Sequence, residues 1–456
     1  MKKEEKKISR REFLKVLGGS ALVTSAAMYG CAPKGEVKLA AQGEVPTEGR
    51  EYRTSATGDR VSRRGYGCMR GPTLATPAAD GSVIDQQAVN ELVDYAIAHG
   101  VNYFDTAPVY VQGQSERATG IALKRHPRDR FFIATKMSNF STPTRENSLD
   151  LYRNSFKQLQ VDYLDYYLLH SVGGGSGLGT FRERFIDNGI LEFLLREREA
   201  GRIRNLGWSF HGAVEVFDYL LAMGVKWDFV QIQMNYVDWR HASGRNVNAE
   251  YLYGELDKRG IPVVIMEPLL GGRLSRLNDH LVVRLKQRRP TSSTASWAFR
   301  FVGCYPRVLT VLSGMTYMEH LQDNIRTYAP LEALTEEDFA LLEDTAQRML
   351  QFPTVPCTEC QYCMPCPYGL NIPAIFAHYN RCVNEGNVPK DGRDENYARA
   401  RRAFLVGYDR SVPRLRQASH CIGCGQCVSH CPQSIDIPGQ LHRIDRFVEQ
   451  LRSGTL

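Results

Sequence analysis

Eight of the twelve cysteines crowd into two short runs near the C-terminus, a density of thiols suited to binding iron. The first run is Cys357, Cys360, Cys363 and Cys366, followed by Pro367; the second is Cys421, Cys424, Cys427 and Cys431, followed by Pro432. Three cysteines two residues apart, then a fourth before proline, form the ligand pattern of a [4Fe–4S] cubane. A short irregular turn aims three thiolates at three irons, with its backbone N–H groups facing the sulfides. The fourth cysteine reaches the other cluster of a pair, so two runs in one chain imply two clusters with crossed ligation. The second run has the full C-x₂-C-x₂-C-x₃-C-P form. The first is one residue short before its last cysteine, which leaves the geometry of Cys366 open. Disulfides would need thiols spread through a small secreted fold, and zinc on two C-x₂-C pairs would leave four cysteines unexplained.

These runs, and a second set of reactive side chains upstream, need elements to position them. From about residue 51 to 330, β-type apolar runs alternate with helical patterns. The predicted strands are 65–69, 102–106, 131–136, 163–170, 205–210, 229–235, 262–268 and 308–314. Amphipathic segments such as 87–99, 151–160, 214–223 and 293–301 separate them. Eight β/α units over about 280 residues predict an α/β fold, a (β/α)8 TIM barrel. A doubly wound open sheet is the alternative. It expects a glycine-rich phosphate turn after the first strand, and Gly65-Tyr66-Gly67-Cys68 lacks the remaining glycine and the helix. Chemistry in such barrels sits at the C-terminal strand ends. Those ends carry Asp105, Tyr110 in the following loop, Lys136 and His170. Any one of the four alone reads as a packed or satisfied core residue. At three consecutive strand ends they read as a functional quartet.

The segments around the quartet resemble those of the aldo/keto reductases. The match runs through Asn102-Tyr103-Phe104-Asp105-Thr106-Ala107-Pro108-Val109-Tyr110, Ile133-Ala134-Thr135-Lys136 and Tyr166-Tyr167-Leu168-Leu169-His170. It continues through Gly207-Trp208-Ser209-Phe210-His211, Gln231-Ile232-Gln233-Met234-Asn235, Met266-Glu267-Pro268-Leu269 and Ser313-Gly314-Met315. It extends from about Arg50 to the C-terminus and includes the cysteine runs, as in the branch with a ferredoxin-like tail. The resemblance implies that Tyr110 protonates a carbonyl oxygen as hydride reaches the carbon. A phenol with pKa near 10 is a poor acid, so Lys136 is expected to lower it while Asp105 holds the ammonium. His170 would orient the substrate carbonyl.

The same resemblance implies a nicotinamide cofactor, NADP(H) or NAD(H), across the strand ends. Ser209 and Gln231 would bond its carboxamide, and Gly314, Met315 and Asn324 would meet the pyrophosphate and adenosine. Gly67, Asp105, Met266, Pro268 and Leu269 complete the implied contact set. Two positions depart from the wider family: Met266 stands where many members stack a Tyr on the nicotinamide, and Phe210 where an Asn is common. Between Ser313 and His320 no Lys or Arg is present to pair with a 2′-phosphate, so the residues do not choose NADP over NAD.

The tail is an internal repeat. Cys366-Pro-Tyr-Gly-Leu-Asn371-Ile-Pro373 and Cys431-Pro-Gln-Ser-Ile-Asp436-Ile-Pro438 share spacing, each ending on an Asn or Asp N-cap with proline in the first turn. Helical patterns at 375–382 and 397–405 occupy the long interval between the runs and predict a small α-helical ferredoxin-like iron–sulfur domain over 353–445. Residues 331–352 read as a connecting helix.

At the other end, Ser9-Arg10-Arg11-Glu12-Phe13-Leu14-Lys15 resembles a twin-arginine export signal, followed by a weakly apolar stretch over 16–29. Gly30-Cys31 could be a lipoprotein processing site, which leaves a membrane tether open, and 32–50 reads as a linker. The net charge of +7 misleads: residues 1–30 hold seven Lys/Arg and three Glu, a surplus of four, so the remainder carries +3. No basic stripe interleaved with aromatics points to nucleic acid. The other scattered cysteines, Cys68, Cys304 and Cys382, read as small buried hydrophobes. The expectation is an exported oxidoreductase acting on a small carbonyl/alcohol pair, wired through two [4Fe–4S] clusters to an electron-transfer partner. Its site would be the periplasm or the outer face of the membrane. The alternative is an electron-transfer subunit whose barrel only docks.

Overall fold

The computed structural model describes residues 45–47 and 51–456. The expected export signal, Cys31 and most of the linker lie outside the described residues. A short antiparallel hairpin, β1 (Tyr52–Thr54) and β2 (Arg60–Ser62), precedes the barrel strands. These are β3 (Arg64–Gly67), β4 (Tyr103–Asp105), β5 (Phe132–Met137), β6 (Leu164–Val172), β7 (Ile203–Phe210), β8 (Phe229–Gln233), β9 (Val263–Met266) and β10 (Val308–Gly314). All eight pair in parallel and close, β10 joining both β9 and β3. Each predicted strand overlaps one observed, and closure rules out the open doubly wound sheet.

Strand residues alternate between two cores because side chains point to opposite faces in turn. Tyr103, Ala134, Tyr166, Leu168, Phe229 and Val264 fill the barrel interior, joined by Val61 of the hairpin. Their neighbours Phe104, Ile133, Tyr167, Leu169 and Val263 face the surrounding helices. Because both faces are covered, β6 is a near-continuous apolar run, as parallel strands require.

The helix Glu336–Leu350, started by a Thr335/Asp338 capping box, leads from barrel to tail. Three helices build the tail: Ile372–Asn384, Tyr397–Ser411 and Ile437–Ser453. The two N-caps work as the repeat predicts: Asn371 accepts from the Ala374 N–H and Asp436 from the Gly439 N–H, with proline in each first turn. The tail has its own core around Ile375, Phe376, Phe404, Ile444 and Leu451. Leu451 places that core beyond the expected end at 445, because the last helix needs its final turn to cover the other two.

The tail lies on the C-terminal mouth of the barrel. Arg273 donates to Thr354 Oγ1 (3.0 Å), and Gln233 and Gln433 bond through their amides (2.9 and 3.3 Å). Asn278 donates to the Asn384 carbonyl (2.7 Å), and Arg70 to the Thr358 carbonyl. No helix among the described residues is long and apolar enough to cross a membrane.

Candidate active site

The strand alternation delivers the quartet. Asp105 follows Tyr103 on the inner face of β4, Lys136 follows Ala134 on β5, and His170 follows Leu168 on β6. Register pairs Asp105 with Ala134, so Lys136 stands one inward position further along. Its Nζ donates to Asp105 Oδ1 (2.5 Å) and to the Thr106 carbonyl (2.7 Å), and sits 4.8 Å from the Tyr110 ring centre. Both partners are nearly fully buried, at 1% and 2% exposure. Burial raises Asp105 and lowers Lys136, and each charge pulls the other back toward ionisation. Among the described residues Asp105 Oδ2 has no hydrogen-bond partner.

Tyr110 departs from expectation. Burial, then the neighbouring Tyr362 and Asp105, push its phenol well above the ordinary range. Lys136, 4.8 Å from the ring centre, does not offset that burial. His170 is held well below its usual pKa by burial, then by Lys136, Arg184 and His211. It is therefore a neutral imidazole with one N–H to give, its Nδ1 lying 2.6 Å from Ser138 Oγ.

The other ring nitrogen meets a residue the sequence reading did not single out. Tyr362, in the turn between Cys360 and Cys363, brings its hydroxyl 3.3 Å from His170 Nε2 and hydrogen-bonds the Tyr110 hydroxyl. Its phenol oxygen occupies the point on which a general acid and an orienting histidine converge. Nothing in a C-x₂-C spacer distinguishes such a residue from an exposed loop side chain. Ser138, two positions beyond Lys136 on the same inward face, was discoverable from the strand alternation.

The implied nicotinamide contacts divide in two. At the carboxamide end, Gln231 Oε1 is buried with no hydrogen-bond partner among the described residues, an acceptor that an amide N–H could meet. Ser209 Oγ accepts from the Ser171 N–H (2.8 Å) and keeps its own hydrogen to give. Phe210 points outward onto Trp208 and Phe217, so it leaves the pocket wall to Ser209. At the other end, Gly67 pairs with Gly314 across β3 and β10, Met315 is buried with its carbonyl bonded to Tyr66, and Asn324 donates to Ser313 Oγ (3.0 Å). Met266, Pro268 and Leu269 lead into the turn at Gly271. That strip is covered at Gly271, whereas Gly314 is exposed. A Cβ on Gly271 would strike the backbone of Thr358, and one on Gly314 would sit 2.9 Å from the Arg70 side chain. The residues therefore fit the nicotinamide end but do not fit a whole dinucleotide while the tail is docked.

The cysteines fit clusters. Cys357, Cys360, Cys363 and Cys431 line one recess, walled by Ile372, Pro373, Phe376, Ile435 and Ile437. The donors ring a space instead of converging on a point: among the described residues no group of three or more Cys, His, Asp or Glu is gathered for a single metal ion. Backbone N–H groups already face the sulfurs, Glu359 to Cys357, Tyr362 to Cys360, and residues 433–435 to Cys431. Burial pushes Cys357 to about 12 and Cys360 to about 11, so a bound cation is what would hold them as thiolates. In the second set, Cys427 lies within electrostatic reach of Cys421, Cys424 and Cys366. The missing residue before Cys366 thus does not keep it from the other set. Cys363 and Cys427 also feel each other, which brings the two recesses together.

Just after His170 the sequence Gly173-Gly-Gly-Ser-Gly-Leu-Gly179 suggests by composition a mobile loop over the site, yet the structure ties it down. The Gly173 carbonyl accepts from the Ala213 N–H (3.2 Å), and Arg245 donates to the Gly175 carbonyl (3.2 Å). A Cβ on either Gly173 or Gly212 would strike the other's loop backbone. Close approach of two backbones, not freedom, is what these glycines serve.

A closed parallel barrel with this quartet at its mouth, carrying a cysteine-rich helical tail, defines a barrel oxidoreductase with an iron–sulfur domain. The Aldo/keto reductase family model matches residues 73–347 and the 4Fe-4S dicluster domain model matches 356–435. The chain belongs to the aldo/keto reductase family. It is 25% identical over 313 residues to the uncharacterized oxidoreductase YqkF of Bacillus subtilis (strain 168), covering 62% of this chain and 92% of that one. Among solved structures it resembles the holo form of aldo-keto reductase AKR11C1 from Bacillus halodurans, at TM-score 0.51 and 23% identity over 65% of this chain and 96% of that one. An aldo-keto reductase from Klebsiella pneumoniae, in complex with NADPH, gives TM-score 0.50 and 23% identity over 65% and 94%. Both structural likenesses speak to the fold.

Proposed function

We propose that this chain is an exported iron–sulfur oxidoreductase that interconverts a carbonyl and an alcohol at the barrel mouth, with two [4Fe–4S] clusters as its electron store. The observation that carries the reading is the convergence of Tyr110 and neutral His170 on one point above the buried Asp105–Lys136 pair. There Tyr110 would give or take the proton at the substrate oxygen, and His170 would orient that oxygen. Lys136, fixed by Asp105, would offset negative charge on Tyr110 as its proton leaves. The first cluster would be held by Cys357, Cys360, Cys363 and Cys431, the second by Cys421, Cys424, Cys427 and Cys366. When bound, each would store one electron, so the pair could take up or return the two electrons of a carbonyl/alcohol exchange, while Tyr110 handles the oxygen-bound proton and the hydrogen at carbon would need a hydride carrier.

NADP(H) or NAD(H) is the hydride carrier the family implies, with Ser209 and Gln231 as the residues that would hold its carboxamide. The unpartnered Gln231 oxygen supports that end of the reading, and the Thr358 backbone packed on Gly271 opposes the rest. Export by the twin-arginine route to the outer side of the membrane, with Cys31 as a lipid anchor, rests on residues 9–31 alone. An electron-transfer partner would meet the second, more exposed cysteine turn. Cys424 is exposed there, and Ile422 keeps 60% of its surface. A second reading, an electron-transfer subunit with a docking barrel, is favoured by one observation: Tyr362 stands where the substrate oxygen should.

The test is a carbonyl/alcohol panel on the anaerobically purified chain carrying both clusters, followed by cluster absorbance. A substrate should change that absorbance in the wild type, and Tyr110→Phe should slow the change by ~10²-fold or more. An equal rate in Tyr110→Phe contradicts the catalytic reading.

A further inference from the structure

The barrel mouth is already filled by the chain itself. Thr354 is held by Arg273, the Thr358 carbonyl by Arg70, and the Tyr362 hydroxyl by His170 and Tyr110. These anchors run from the rim of the strip to the catalytic point. Between them the fit is tight: the Thr358 backbone fills the space a side chain on Gly271 would need. The Arg70 side chain lies on Gly314, with Cβ, Cδ and Cγ all within 3.2 Å of where a Cβ would be. Gly314 itself is exposed, so the close cover over the strip lies at Gly271. Cys357 and Cys360 bracket Thr358, and Cys360 and Cys363 bracket Tyr362. Ligation of a cluster by those cysteines would cross-link the segment and keep it from melting locally.

We infer that the docked segment 354–362 and a nicotinamide dinucleotide exclude one another. The Thr358 backbone takes the space beside Gly271, and Tyr362 takes the place at His170 that the proposed function gives to the substrate oxygen. This deepens the proposed function, since it rests on reading the barrel as an aldo/keto reductase site. The unpartnered Gln231 oxygen is consistent with it: the carboxamide position remains, while the path that should lead a dinucleotide to it is roofed. A dinucleotide could enter only if the tail lifted, breaking the Arg70–Thr358 and Gln233–Gln433 contacts together. Binding would then be weakened by the small fraction of chains in that open state.

The experiment uses the full chain with both clusters, kept anaerobic, titrated with NADPH and separately with NADH. Nicotinamide fluorescence reads binding, and amide hydrogen exchange of peptides covering 354–362 reads docking. The expected result is no saturable binding and unchanged protection. Saturable binding accompanied by lost protection over 354–362 also supports exclusion, because it shows the tail lifting to admit the ligand. Saturable one-to-one binding with the segment as protected as before overturns it. Neither readout depends on turnover, so an inactive barrel leaves the inference standing, and an active one does not rescue it.

Discussion

The two cysteine turns share the C-x₂-C-x₂-C spacing of their first three ligands, a capping Asn371 or Asp436 and a proline that opens the next helix, yet they face different worlds. The first presses on the barrel mouth and sends Tyr362 to His170. The second keeps Cys424 exposed and carries Gln426 where the first carries Tyr362. Ligands that repeat along the chain therefore do not make equivalent sites. What differs is the side chain between the ligands and the surface beneath it. The first turn borders the pocket and the second borders the outside.

The comparison breaks most visibly at the fourth cysteines. Cys431→Ser should strip the cluster of the first turn, dropping iron from about eight to about four per chain, while Cys366→Ser removes that of the second. Iron analysis with EPR of each variant decides it. If Cys431→Ser instead spares the first turn's cluster, ligation is not crossed and the pairing of recesses is wrong.

Next in size is the floor of the pocket. Lys136→Met leaves Asp105 buried, with one oxygen already unpartnered, and should destabilise the barrel by about 3–5 kcal/mol in urea unfolding. A change below about 1 kcal/mol means that the pair contributes little beyond its packing.

Smaller is a pH effect that both regions share. Burial holds His170 in the barrel well below its usual pKa, and burial with Arg381 holds His378 in the tail core at about 4. In the unfolded chain each binds a proton near pH 6.5. As pH falls from about 6.5 toward 4, the unfolded state takes protons that the folded state refuses. Stability fully present above pH 6.5 is thus lost by up to about 1.4 kcal/mol per pH unit for each histidine. His378→Gln, which can still donate to the Phe404 carbonyl, should flatten the slope by one histidine's share in urea unfolding at stepped pH. An unchanged slope shows that His378 titrates freely in the fold.

The barrel was legible because parallel strands buried on both faces leave an unbroken apolar trace, and their alternation carries Asp105, Lys136 and His170 inward. The cluster cysteines were legible because ligand spacing is a local property of a turn. Tyr362 and Thr358 were not, since their role comes from a surface some two hundred residues away and leaves no periodic mark. The glycines of 173–179 misled for a related reason: the backbone they accommodate, at Gly212, is also distant in sequence. The phenol shift at Tyr110 depended on the tail as well, so no reading of the barrel alone could give its sign.

The central claim is that the first cluster, not the second, is seated against the catalytic pocket. EPR of the dithionite-reduced chain carrying both clusters, in wild type and Tyr362→Phe, tests it most directly. Losing the Tyr362 hydroxyl changes polarity beside Cys360 and Cys363 and leaves the second turn untouched. The account predicts that one cluster's signal shifts, the one that Cys431→Ser removes, while the other stays in place. A shift confined to the signal that Cys366→Ser removes, or no shift in either, would contradict it.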